Sequence, residues 1–461
     1  MITLKEFKKY KKIHMVGIGG VSMSGIAEII KSFGIKVTGS NIEKSSTTEK
    51  LTANGILVTI GHSKDNIPAK CDLVVYTAAV KLNNIELVTA KKLGIPIIER
   101  ADFLGLLTSL YKDTICISGT HGKTTTTSMI SVCFVEAKLD PTIQVGANLK
   151  QLDGNYRAGN SNYLIIEACE YVESFLKFFP KTEIILNVDN DHLDYFKNFD
   201  NIKKAFVKYA KLLPDDGLLV INGDDPSCID LSKKIKCNFL TYGMLTDNCD
   251  YVAKNLTMDD NGFYEFDVYF NNVYFQHFKL SVPGIHNILN ALACIATCNY
   301  YDIPVKSIKK SLRSFTGANR RFEYIGTFND ISVFDDYGHH PTEIRATYDA
   351  LLNKKFRKSW VIFQPHTYSR TKHHLDEFAT SLLGFDNIII TDIYASREKD
   401  NQNISSKDLV KKIKSFGAKN VIHISNFEEI AKHIKSNAKP GDIVLTLGAG
   451  NVVEIGPELI K

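Results

Sequence analysis

The stretch "ICISGTHGKTTTTSM", residues 115–129, constrains this chain more than any other. Its apolar start reads as a buried strand, Gly119 to Gly122 as a tight turn, and the threonine run as the opening of a helix. A strand, glycine turn and helix in that order aim unpaired backbone amides at one point, which is an anion site. Lys123 is then placed to neutralise β and γ phosphates, and Thr124 to ligate Mg²⁺. The strict pattern G-x-x-x-x-G-K-S/T wants glycine at 117, where Ile117 stands, so a loop starting at Gly119 is two residues short. A glycine-rich turn with no ligand is the plain alternative, but the coincidence of strand, G-K-T spacing and helix favours a nucleotide.

At 461 residues the chain is too long for one ordinary core, and about 150 residues per domain gives roughly three. Three blocks of alternating strand and helix patterns predict an α/β fold with parallel sheets, divided as residues 1–106, 107–316 and 317–461. In the middle block "FYEFDVYF" and "VYFQHFKL" alternate apolar and polar about Asn271-Asn272, which predicts a hairpin in an antiparallel side sheet. A net charge of +5 gives no warrant for nucleic-acid binding. No run of 18 or more apolar residues occurs, so no membrane insertion is expected. Nine cysteines without a C-x-x-C pair favour reduced thiols in a cytoplasmic protein, with Cys294 and Cys298 packed in a helix core.

A phosphate loop needs hard oxygen ligands for its metal, carried by neighbouring strand ends. "YLIIEACE" delivers Glu167 and Glu170, and "IILNVDNDHLD" delivers Asp189, Asp191, His192 and Asp194. Asp194 and Glu173 suit solvated loop acids; Glu167 and His192 are the metal candidates. The N-terminal "GIGGVSMSG" invites a dinucleotide reading, but Ser22 stands where the third glycine belongs and Asn41 where a ribose-binding acid belongs. A diphosphate on the Gly17 to Gly20 turn fits; a nicotinamide cofactor does not. In the last block "FDDYGHHPTE" and "FQPHTYSRT" put Asp335, Asp336, His339, His340, His366 and Arg370 at one sheet edge, among neighbours that do not suit zinc. Arg320 and Arg321 lie where domain closure would aim them at a transferring phosphate.

Taken in order from Ile13 to Asn451, "GIGGVSMSGIA", "GTHGKTTTT", "EACE", "DNDHLDYF", "PGIHNILNALA", "GANRRFE", "DDYGHHPTE", "QPHTYSRT" and "GAGN" resemble the Mur ligases of peptidoglycan synthesis. The shortened loop is that family's own. The resemblance implies an N-terminal Rossmann-like domain, a central ATPase domain and a C-terminal Rossmann-like domain. It puts ATP on Gly119, Thr120, His121, Gly122, Lys123, Thr124 and Thr125, with adenine near His286 and Asn290 and the γ-phosphate near Arg321 and Asp336. It puts Mg²⁺ near Thr124, Glu167 and His192, and the UDP-sugar near Gly17, Gly19, Gly20, Ser22, Ser40, Asn41, Thr77, Arg100 and His121. Tyr337, His339, His340, His366 and Arg370 would surround an amino acid. Lys123, Glu167, His192, Arg321 and Asp336 would carry the chemistry.

The implied reaction is ATP-dependent ligation of L-alanine to UDP-N-acetylmuramate through an acyl phosphate, by a monomer or homodimer. Ligation of a tripeptide to the same UDP-sugar is the near rival, and a nucleotide-driven switch the rival of another class. Asn41, Cys169 and Thr367 depart from the commoner pattern, where an Asp, an Asp and an Arg are usual. Without the arginine at 367, Arg370 would hold more of the amino-acid carboxylate.

Overall fold

Apolar strand segments dominate the layout because the central ones are buried on both faces, as parallel sheets require. The computed structural model describes residues 4–396, 398–400 and 403–461. Among them the strands form three sheets of five, ten and six strands. The first is wholly parallel and centres on Lys12–Val16, flanked by Lys36–Asn41 and Leu73–Tyr76. The third is parallel except for the edge strand Glu323–Phe328, which runs antiparallel to Ile331–Asp336.

The ten-stranded sheet positions the site. Its strand Asp113–Ser118 lies between Thr182–Ile185 and Tyr163–Glu167, both parallel to it. Ile115, Cys116 and Ile117 are fully buried there. Chain order reverses at this strand, so the crevice beyond its carboxyl end is a topological switch point, where open α/β sheets bind ligands. The phosphate loop, the "EACE" segment and the 186–192 loop all emerge into that crevice. Helix Lys123–Glu136 covers the sheet and packs against helix His286–Tyr300. Cys133, Cys294 and Cys298 meet in that interface, Sγ to Sγ at 3.7 and 3.8 Å, as buried thiols of the core.

The expected hairpin is present: Phe263–Phe270 and Val273–Pro283 pair antiparallel across the Asn271-Asn272 turn, both residues with positive φ. Its strands are joined to the main sheet rather than stacked as a separate layer. The junction is short, only Tyr242 with Tyr251 and Gly243 with Val252 pairing in parallel.

The three sheets meet through side chains. Gln144 Nε2 donates to Ser22 Oγ at 2.9 Å, and Asn155 Nδ2 donates to the Val21 carbonyl at 2.8 Å, tying the first sheet to the second. The third docks onto the 189–191 loop.

Candidate active site

Backbone shape comes first. Gly122 precedes helix Lys123–Glu136 with φ 85°, and a Cβ there would stand 2.6 Å from Asn290 Oδ1. Gly119, at φ 128°, leaves 3.0 Å between such a Cβ and Leu186 Cβ. Glycine is required at both positions by conformation and by space. The loop is braced from the next strand: His121 N donates to Asn187 Oδ1 at 2.8 Å, and Asp189 N donates to Thr120 Oγ1 at 2.9 Å.

Lys123 Nζ donates to the Gly119 and Thr120 carbonyls and to both Glu170 oxygens, at 3.0 and 3.1 Å. Burial pulls its pKa down, but the surrounding groups, Glu170 foremost and Glu167 with it, together raise it, so the ammonium stays charged. Thr124 Oγ1 donates to Glu167 Oε2 at 3.2 Å, and Gly146 N donates to Glu167 Oε1. Burial raises the Glu167 pKa more than the Gly146 amide and Lys123 lower it. A half-buried carboxylate held up by desolvation beside a threonine hydroxyl is a hard-oxygen pair that fits a divalent cation. His192 is set farther round, its Nε2 3.7 Å from Glu170 Oε1 and 3.6 Å from Asp191 Oδ2. Thr124 and Glu167 are thus in direct contact, while His192 faces them across Glu170.

A cavity of about 390 Å³ opens beside the loop, lined by His121, Gly122, Thr125, His286, Asn290, Arg321 and Asp336 among the expected residues. Burial, with Arg321 close by, lowers His286 to about 4, so its ring is neutral at pH 7. Asp336 accepts from Phe322 N and Gly338 N, both at 2.7 Å, and from Thr347 Oγ1 at 3.1 Å. Burial still lifts it to about 6 against the pull of Arg321 and those amides. The paired arginines separate cleanly. Arg320 is bonded to Asp335 at 2.9 Å and to the Gly448 and Gly450 carbonyls, whereas Arg321 lines the cavity.

A second cavity, about 230 Å³, lies between the first and second sheets, with Ser22, Arg100, Gln144, Gly146, Glu167 and Cys169 in its wall. Ser22 and Arg100 therefore reach the same recess as Glu167. Asn41 Oδ1 accepts from Gly19 N at 3.2 Å, and a Cβ on Gly17 would stand 2.6 Å from Thr77 Cγ2, so Gly17, Gly19, Asn41 and Thr77 form one turn, which Gly20 completes. Ser40 is fully buried, and its hydroxyl donates to Glu86 Oε2 at 2.7 Å inside the first unit. Cys169 lies in the wall of that recess, where desolvation and then Glu170 hold its thiol up to about 11, so it is protonated at pH 7.

On the third sheet, His366 stacks on Tyr394 with centroids 5.7 Å apart, and the His339 ring meets His366 at a tilt, 5.6 Å away. Burial lowers His339 to about 3 and His366 to about 4. Tyr337 lies under Arg320 and Arg321, 5.0 and 5.1 Å from its ring centroid, and edge-on to His339. His340 is bonded through both ring nitrogens. Its Nδ1 accepts from Thr342 N at 3.3 Å, and its Nε2 bonds the Asn190 carbonyl at 3.2 Å, so both nitrogens serve helix capping and docking. Arg370 bonds Asp191 across the same boundary.

Two residues of this site, Glu343 and Asn287, carry no expected role. Glu343 Oε1 meets His121 Nδ1 at 3.1 Å, and His121 Nε2 meets Asp189 Oδ2 at 2.9 Å. Burial would lower His121, but those two carboxylates lift it to about 9. Asn287 lines the large cavity and accepts from Asn290 Nδ2 at 2.9 Å. Each sits inside a stretch quoted above, so only the long-range contact was hidden.

Comparison with known proteins bears on the family and the fold. Family models described as "Mur ligase family, catalytic domain", "Mur ligase middle domain" and "Mur ligase, glutamate ligase domain" match residues 12–112, 117–298 and 320–450. The chain is 47% identical over 460 residues to the UDP-N-acetylmuramate--L-alanine ligase of Acetivibrio thermocellus, covering 100% of this chain and 98% of the relative. It is 48% identical over 446 residues to that of Clostridium acetobutylicum, covering 97% and 96%. Among solved structures, the UDP-N-acetylmuramate-alanine ligase of Thermotoga maritima superposes with a TM-score of 0.82 at 31% identity, covering 97% and 98%. A murein peptide ligase from Psychrobacter arcticus gives 0.72 at 26% identity, over 97% and 98%.

Proposed function

The chain belongs to the Mur ligase family, and from that premise we infer that it ligates L-alanine to UDP-N-acetylmuramate with cleavage of ATP to ADP and phosphate. One observation supports the division of labour: the phosphate-loop Lys123 is linked by contacts through Glu170, His192 and Asp191 to Arg370 and His366 of the third unit. The three units take the roles in chain order: residues 1–106 hold the UDP-sugar, 107–316 the ATP, and 317–461 help place the amino acid.

In this reading the muramate lactyl carboxylate attacks the γ-phosphorus, ADP leaves, and the acyl phosphate is opened by the alanine amine with loss of phosphate. Lys123 exchanges Glu170 and its loop carbonyls for the β and γ phosphates, keeping its charge throughout. Thr124 and Glu167, with His192, would hold Mg²⁺, which when bound offsets charge on the phosphates. Arg321 faces the γ-phosphate end while Arg320 stays structural. Neutral His286 and the Asn287–Asn290 pair suit an adenine, and Ser22 and Arg100 the sugar end. Neutral His339 and His366 leave Arg370 as the cation for the alanine carboxylate. Catalysis is then mainly positioning and charge stabilisation. The enzyme works in the cytoplasm, as a monomer or homodimer.

The test is ADP formation with ATP, Mg²⁺ and UDP-N-acetylmuramate, adding L-alanine, glycine, L-serine or the tripeptide. Turnover with L-alanine is expected. Turnover with the tripeptide alone would replace this reading by its rival, and phosphate release indifferent to the UDP-sugar would point to a switch.

A further inference from the structure

We propose that Asp191 is the positioning residue that aims Arg370 at the amino-acid carboxylate, so that the alanine subsite is complete only when the third unit is docked on the second. This rests on the reading of Arg370 given above. Arg370 Nε and Nη2 both donate to Asp191 Oδ1, at 3.2 and 2.9 Å, and Nη1 bonds His366 Nδ1 at 3.1 Å. The two charged side chains are only 10% and 9% exposed.

A guanidinium is a planar fork with two edges able to meet a carboxylate with two parallel bonds. Asp191 occupies the side edge, Nε with Nη2. The far edge, Nη1 with Nη2, is left for a substrate carboxylate, and His366 flanks it. Rotation of the fork about its stem would break the Asp191 contacts, so the acid fixes which edge is presented.

Asp191 is itself held. Its Oδ1 accepts from His192 N at 2.7 Å, and its own amide donates to the Asp189 carbonyl at 3.1 Å. The rest of the loop is pinned to the third unit, Asp189 by Thr342 Oγ1 at 3.0 Å and Asn190 by His340 at 3.2 Å. Thr367 sets the other partner: at φ 65° it caps helix Tyr368–His373, its Oγ1 accepting from Arg370 N at 3.4 Å. A threonine there supplies a backbone anchor and no second cation, which concentrates carboxylate binding on one correctly turned arginine.

Steady-state constants for L-alanine, ATP, UDP-N-acetylmuramate and Mg²⁺ in Arg370→Ala, Asp191→Asn and the double variant test this. Arg370→Ala is expected to raise KM for L-alanine on the order of 100-fold, and Asp191→Asn on the order of 10-fold or more. The other three constants should stay within about twofold, and the double variant should be no worse than Arg370→Ala alone. Asp191→Glu keeps the charge one methylene out of place and should fall between wild type and Asp191→Asn; it also serves if Asp191→Asn folds poorly. An unchanged L-alanine KM in Arg370→Ala would overturn the subsite itself. A raised KM in Arg370→Ala with none in Asp191→Asn, or an Asp191→Asn defect confined to Mg²⁺, would overturn the positioning role alone.

Discussion

Glu343→Gln asks whether charge docks the third unit onto the phosphate loop. The carboxylate bridges His121 Nδ1 at 3.1 Å and the His339 and His340 amides at 2.9 and 3.3 Å. His121, only 16% exposed, holds Asp189 with its other nitrogen. Lifting His121 from 6.5 to about 9 corresponds, at 1.36 kcal/mol per pKa unit, to about 3 kcal/mol shared between two carboxylates. The isosteric glutamine should therefore remove on the order of 1–2 kcal/mol. Since the folded pKa lies above the unfolded one, this stabilisation is full below pH 6.5 and is lost as pH rises through about 9. NMR titration of the His121 ring, identified by its loss in His121→Asn, reads the pKa directly. Thermal melting from about pH 6 to about pH 9.5 reads the stability. The wild type should lose stability across that range, and Glu343→Gln should lose less, starting lower. A wild-type His121 titrating near 6.5, or identical pH profiles for both proteins, would refute the charge-docking argument.

Lys123→Ala should cut ADP release by roughly 10² to 10³-fold while UDP-sugar affinity, read by calorimetry, persists. It should also lower the melting temperature, because Glu170 is 2% exposed and would lose the ammonium it faces. Gly122→Ala forces both a positive φ and a 2.6 Å clash with Asn290, so ATP affinity should fall with KM for L-alanine unchanged. Chelation of divalent ions should abolish turnover, with activity restored by added Mg²⁺ and with Glu167→Gln needing more of it, measured as an activity titration. Glu183 is fully buried with neither oxygen bonded, and burial raises its pKa, so its carboxyl opposes folding as pH rises above the unfolded carboxylate range. Glu183→Leu should therefore melt higher than wild type, by about 1–3 kcal/mol in stability.

The parts of this molecule legible in its sequence are those whose physics is local. A strand, a glycine turn and a G-K-T helix start determine an anion site within a dozen residues, and alternating buried strands determine parallel sheets around it. Strands Leu218–Asn222 and Asn238–Gly243 escaped because they follow acidic or lysine-rich turns, and the second begins with two exposed residues. Adjacent residues of one type resist the same reading for another reason. Arg320 and Arg321 differ only in what the fold brings to them, Asp335 and the 448–450 carbonyls to one and the cavity to the other. Likewise His340 and His339 share a motif, but only His340 meets Asn190, 150 residues away.

Glu343 and Asp191 show how far this extends. Their partners, His121 and Arg370, lie 222 and 179 residues distant, and each pair forms only where two sheets meet. A motif can therefore assign the arginine that meets a carboxylate without revealing the acid that turns it. In a ligase built from separate units, the acids that align the units are the residues a linear reading misses. Their substitution should separate substrate affinities from one another more than it lowers the fold's stability. The contrast between Asp191→Asn and a core truncation such as Phe175→Ala makes that concrete. Phe175 is fully buried and stacks on Tyr209 at 4.3 Å, so its loss should cost about 3–5 kcal/mol of stability. The three substrate constants of the folded fraction should remain in proportion, whereas Asp191→Asn should shift the L-alanine constant alone.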